Sequence, residues 1–128
     1  MKIRNGLALT LAAAAFVSGC SSEPPNVVGT WVGDYRFALA DGSDNSSVET
    51  LVITRQEGSL LWGYEQWEED GEQMRADLTG TMTGDNGIVL TESEGFFEGT
   101  VNEDTMLVVF VKVAPAQHTA FEVSLTRQ

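Results

Sequence analysis

Four times along this chain a bulky apolar residue is followed two positions later by glycine: Trp31-x-Gly33, Leu61-x-Gly63, Leu78-x-Gly80 and Phe97-x-Gly99. Residues two apart share one face of a strand. The pattern sets a large side chain beside an empty position on the same face, which suits the tapering interior of a small barrel. Glycine also permits the coiling that a closed sheet requires. Each pair lies in a stretch where apolar and polar residues alternate, and no window of helical periodicity exceeds two turns.

Eight alternating segments can be marked: Val28 to Phe37, Val48 to Arg55, Leu60 to Trp67, Gln73 to Met82, Ile88 to Glu92, Phe96 to Val101, Met106 to Val113 and Phe121 to Thr126. Gly, Asn, Asp and Pro punctuate them, and most breaks are short enough for hairpins. The longest break, Ala40 to Ser47, is expected to be a loop at the barrel mouth. The pattern predicts an all-β domain over residues 27–128, a small eight-stranded up-and-down antiparallel barrel whose closure removes exposed edges. Met106 to Val113 is apolar on both faces, as in a strand covered on both sides. Either a partner, a second copy or the membrane, or else the N-terminal tether or a loop, is expected to cover its outer face.

The first nineteen residues read differently. Lys2 and Arg4 make a positive start, Leu7 to Val17 is apolar, and Ser18 and Gly19 are small, the layout of an export signal. The apolar run is too short to span a membrane, which takes about 20 residues. Val17-Ser18-Gly19-Cys20 resembles the lipobox of bacterial lipoproteins, with Val17 where that family usually has Leu. The resemblance implies cleavage before Cys20 and acylation of that residue, giving stable membrane attachment. Ser21, in place of an inner-membrane Asp signal, implies an outer-membrane lipoprotein facing the periplasm. Residues 20–26, with Pro24-Pro25, are expected to form an extended tether. Cys20 is the only cysteine, so the domain must hold together without a disulfide.

Val28-Gly29-Thr30-Trp31, opening a meander of eight segments, resembles the calycin group of lipocalins and avidin-like proteins. The resemblance implies that Trp31 plugs one end of a calycin-like barrel. The three tryptophans, Trp31, Trp62 and Trp67, all fall in the first and third segments. The aromatic cage of biotin binders is therefore incomplete, and no biotin binding is expected.

The chain has 19 acidic residues against 7 basic ones, two of which, Lys2 and Arg4, lie in the leader. Such a surface repels nucleic acid and favours cationic partners. The densest cluster is Glu65, Glu68, Glu69, Asp70 and Glu72, at the third turn. It supplies oxygens without the spacing of a calcium loop, so no metal is assigned. It reads as a solvated hairpin tip or as a docking surface for a cationic protein. Trp62 and Tyr64 share a strand face opposite to that of Trp67. Pointing inward, with Arg36 or Arg75 nearby, they would line a small cavity; the alternative is that they are simply core. His118, the only histidine, falls in an expected loop, Pro115 to Thr119, with no signature of a triad, and no catalytic residue or cofactor is assigned.

The expectation is a non-enzymatic, lipid-anchored binding module for a small apolar or amphipathic ligand. The alternative is a filled barrel that binds protein, as an inhibitor of a cationic hydrolase such as lysozyme or as an envelope structural component.

Overall fold

The computed structural model describes residues 23–115 and 117–128. The leader, Cys20 and Ser21 lie outside the described residues. Eight strands follow in chain order: β1 (Gly29–Ala38), β2 (Asp44–Glu57), β3 (Leu60–Glu69), β4 (Glu72–Thr83), β5 (Gly87–Thr91), β6 (Gly95–Asn102), β7 (Thr105–Ala114) and β8 (Gln117–Arg127). Each pairs antiparallel with the next, and β8 returns to β1 to close the barrel. This is the eight-stranded up-and-down barrel expected from the pattern. Among the described residues no helix is long and apolar enough to cross a membrane.

Two boundaries differ from the sequence reading by more than two residues. β2 starts at Asp44, and its polar opening pairs with β1 from Ala38↔Asp44 to Tyr35↔Ser47. The expected mouth loop therefore shrinks to residues 39–43, closed by the Leu39 amide on the Ser43 carbonyl at 2.9 Å. β8 starts at Gln117, so His118 is an exposed strand residue paired with Val113 rather than a loop residue. At the third turn Asp70 and Gly71 both have positive φ, 51° and 81°, as a tight two-residue hairpin of this hand requires.

The inward face follows the bulky–glycine spacing. Trp31, Leu61, Leu78 and Phe97 are at most 1% exposed. The glycines that follow them sit where neighbouring strands press closest. A Cβ on Gly63 or Gly99 would lie 1.9 Å from the carbonyl oxygen of Val52 or Leu107. These glycines are set by backbone contact as much as by taper. Inward rows continue around the wall, as in Phe121↔Phe110↔Phe97↔Leu90↔Gly80↔Leu61.

Consecutive turns of a meander alternate between the two ends of the barrel. One end carries the β2–β3, β4–β5 and β6–β7 turns together with residues 23–28. Here Trp31 is fully buried, its indole Nε1 donating to the Val27 carbonyl at 3.0 Å. The Arg127 guanidinium lies 4.4 Å from the Trp31 ring centroid and donates to the carbonyls of Val28 and Asn26 at 3.0 and 2.9 Å. Gln56 Nε2 donates to the Pro25 carbonyl at 3.0 Å, and Gln56 Oε1 accepts from the Val27 amide at 2.9 Å. Pro25 and Asn26 are thus docked on the barrel end, and the tether shortens accordingly.

On β7 the outward set is Leu107, Val109, Val111 and Val113; Leu107, Val109 and Val113 are exposed. Cross-strand Glu98 and Glu122 flank Val109. Residues 23–28 lie at the Trp31 end and leave this stripe open.

Candidate functional site

The end opposite Trp31 carries the β1–β2, β3–β4, β5–β6 and β7–β8 turns, and the interior changes character toward it. Below, the barrel is filled by Leu51, Ile53, Leu61, Leu78, Ile88 and other apolar side chains. Above, one wall is aromatic. Tyr35 stacks on Phe121 with centroids 3.9 Å apart, Phe121 meets Phe110 at 5.2 Å, and Phe110 meets Phe97 at 4.7 Å. Phe37 extends the series beyond Tyr35 at 5.8 Å.

Within this end lie the carboxyls of Glu49 from β2, Glu65 from β3 and Glu92, just past β5. Glu49 and Glu65 are the two buried charged residues among those described, 2% and 4% exposed. Alternation places them inside: Glu49 follows the parity of Leu51 and Ile53, and Glu65 that of Leu61 and Gly63. Glu49 stands opposite Gly33, which presents no side chain. Burial, reinforced by repulsion from Glu65 and Glu92, pushes Glu49 up to about 9. Burial, with repulsion from Glu92, pushes Glu65 up to about 7. The two carboxyls face one another closely enough for each to perturb the other's titration. Burial likewise raises the Tyr35 hydroxyl, and the charges of Glu49 and Glu65 act in the same direction.

The cluster is incompletely paired. Glu49 Oε1 and Glu92 Oε1 are both buried with no hydrogen-bond partner. A buried acceptor left unpaired costs about 1–3 kcal/mol. No ion pair among the described residues reaches these three carboxyls; Lys112, on β7 at this end, pairs with Glu94 at 3.1 Å. Nor does any group of three His, Cys, Asp or Glu among the described residues converge closely enough to hold a metal ion.

The aromatic residues singled out in the sequence lie elsewhere. Trp62 and Tyr64 have the parity opposite to Leu61 and Glu65 and stand on the outer face. Arg55 covers the Trp62 ring at 3.8 Å and Arg75 covers Tyr64 at 3.7 Å. The inward cavity expected from Trp62, Tyr64, Arg36 and Arg75 is therefore corrected: these residues form outer cation–π pairs, and Arg36 is exposed, paired with Asp44. The acidic cluster also divides. Glu68, Glu69, Asp70 and Glu72 form an exposed hairpin tip, while Glu65 is inside the barrel. An open groove of about 310 Å³ follows the seam where β2 and β3 part above Thr50↔Gln66, lined by Ser47, Val48, Trp67 and Glu68 among others. It is not lined by Trp62 or Tyr64.

Sequence reasoning missed Glu49 and Glu92 and misassigned Glu65. The signal for Glu65 was present, since Leu61-x-Gly63-x-Glu65 continues the inward face two residues further. Glu49 gave less, because Val48 and Val52 make the opposite face of β2 look equally apolar.

No family model and no curated protein matches this chain. Among solved structures, the chain is similar to the siderocalin Ex-FABP, described as functioning through dual ligand specificities. The TM-score is 0.55 at 13% identity, over 79% of this chain and 73% of that one. It also overlaps Rv2717c from M. tuberculosis, with TM-score 0.49, 14% identity, 79% of this chain and 92% of that one. The first likeness shows that the barrel is calycin-like.

Proposed function

We propose that this chain is a lipid-anchored, non-enzymatic binding module that takes a small amphipathic molecule into the glutamate-lined end of its barrel. The observation that carries the reading is the buried Glu49 side chain, whose Oε1 has no hydrogen-bond partner, inside an end walled by Tyr35, Phe121 and Phe110. An apolar wall with few convergent polar groups is the usual make-up of a small-molecule site. The ligand specificity of a calycin-like neighbour is a fold analogy and adds weight only as such.

The anchor in this proposal is acylated Cys20, in the outer membrane and facing the periplasm. Residues 25–26 dock at the Trp31 end. A chain tethered from there would direct the glutamate-lined end away from the lipid surface. Native mass spectrometry of protein purified from its host membrane tests the whole reading. The expected mass is that of a chain starting at an acylated Cys20, with a non-covalent small-molecule adduct. A bare, unacylated chain would remove the anchor, and a co-purifying protein without an adduct would favour the alternative.

That alternative, docking of a cationic protein, draws on the exposed tip at Glu68, Glu69, Asp70 and Glu72. Its test is salt-sensitive binding to a basic hydrolase such as lysozyme. Binding that the Glu68→Lys, Glu69→Lys double variant leaves unchanged would exclude the tip.

A further inference from the structure

We infer that the glutamate-lined end selects ligands bearing a primary ammonium group on an apolar body. The ammonium sits among Glu49, Glu65 and Glu92, and the body lies against Phe121 and Phe110. The inference rests on the small-ligand reading above and specifies its chemical class.

Every polar group in the cluster that lacks a partner is a carboxyl oxygen. Glu49 Oε1 and Glu92 Oε1 are buried and empty of donors, and the other Glu92 oxygen accepts only from Ser93 Oγ at 3.2 Å. What these atoms need is N–H donors and positive charge. The protein's own cations are committed elsewhere, since Lys112 pairs with Glu94, and Arg36 with Asp44 at the first turn. Among the described residues no group of three His, Cys, Asp or Glu is placed to hold a metal ion. An ammonium group offers three donors in different directions, and an ionised donor makes stronger hydrogen bonds than a neutral one.

The approach favours the same class. Glu68, Glu69, Asp70, Glu72 and Glu94 are exposed on turns at this end, so a cation is drawn toward it and an anion is repelled. Deeper in, the Tyr35–Phe121–Phe110 stack offers apolar and π surface beside the carboxyls. This wall would not retain a hydrated inorganic ion and would hold a ring or alkyl body.

Protons mark the event. Glu49 and Glu65 hold protons well above the ordinary carboxyl range, beside Tyr35 from β1 and Glu92 past β5, with Lys112 of β7 paired to Glu94 at the rim. An ammonium replaces such a proton, so binding releases protons to solvent. Affinity for an amine therefore rises with pH from about 6 to about 8, where the competing proton is lost while the amine stays charged.

The experiment is calorimetric titration of the full chain with octylamine, octanol and octanoate, repeated in buffers of different ionisation enthalpy. Octylamine is expected to bind about ten-fold or more tightly than either analogue, with proton release. In Glu49→Gln, Glu65→Gln protein the preference is expected to fall to about two-fold or less, while an unchanged circular-dichroism spectrum reports an intact fold. Equal binding of octylamine and octanol, or a preference that survives in the double variant, would overturn the inference and leave the ligand reading standing. Binding of none of the three would bring down both.

Discussion

At the scale of single residues, the glutamate cluster reverses the usual dependence of stability on pH. Glu49 and Glu65 titrate near 4.5 in an unfolded chain, but up to about 9 and about 7 in the barrel. Between the unfolded and folded values the native state binds more protons, so stability is fully present below about 4.5 and declines as pH rises through about 7 and then about 9. The slope approaches about 1.4 kcal/mol per pH unit for each group while its titration windows are crossed. Thermal melting by circular dichroism is expected to give a higher midpoint at pH 5 than at pH 8. The Glu49→Gln, Glu65→Gln variant, neutral and nearly isosteric, should flatten the profile; a wild-type midpoint that climbs from pH 5 to pH 8 would contradict the burial of these carboxyls. Trp31 makes the other sharp case. It fills the opposite end at 0% exposure under Arg127, and Trp31→Ala is expected to cost about 3–5 kcal/mol in urea unfolding.

At the scale of elements, the strands were legible where a side-chain pattern drove them and illegible where backbone pairing did. Leu61-x-Gly63 and its three relatives marked the inward face correctly. The opening of β2, Asp44-Asn45-Ser46-Ser47, has no apolar period and carries residues typical of turns. It is a strand because β1 continues as Tyr35, Arg36, Phe37 and Ala38 and presents hydrogen-bonding partners for it. The start of β8 was missed for the same reason, since Gln117 and His118 are held by Ala114 and Val113. Trp62 and Tyr64 were misleading because outward aromatics stacked under arginine have the same period as inward ones. Glycine gives the element-scale test. Gly63→Ala and Gly99→Ala each place a methyl 1.9 Å from a neighbouring carbonyl oxygen, and each is expected to destabilise by about 1–3 kcal/mol or more. Gly58→Ala, in a β2–β3 turn with open space around it, bears only the strain of a φ of 61° and is expected to lose about 1 kcal/mol. Comparable losses at all three positions would mean that strand contact is not what selects glycine here.

At the scale of the molecule, the barrel is polarised along its axis. One end is plugged by Trp31, sealed by Arg127 and stitched to residues 25–27. The other holds aromatic rings and hydrogen-bond acceptors that lack donors. In the proposed arrangement an acylated Cys20 holds the first end toward the membrane, and the second receives the ligand. Replacing Cys20 by serine is expected to move the protein from the membrane to the soluble fraction without changing amine affinity. The most direct measurement is amide chemical-shift mapping of the labelled protein during titration with octylamine. Saturable shifts are expected, confined to the residues around Tyr35, Glu49, Glu65, Glu92, Phe110 and Phe121, with the turns at Gly58, Gly84 and Glu103 unmoved. Shifts centred on the outer stripe at Leu107 and Val109, or on the Trp31 end, would contradict the proposed arrangement.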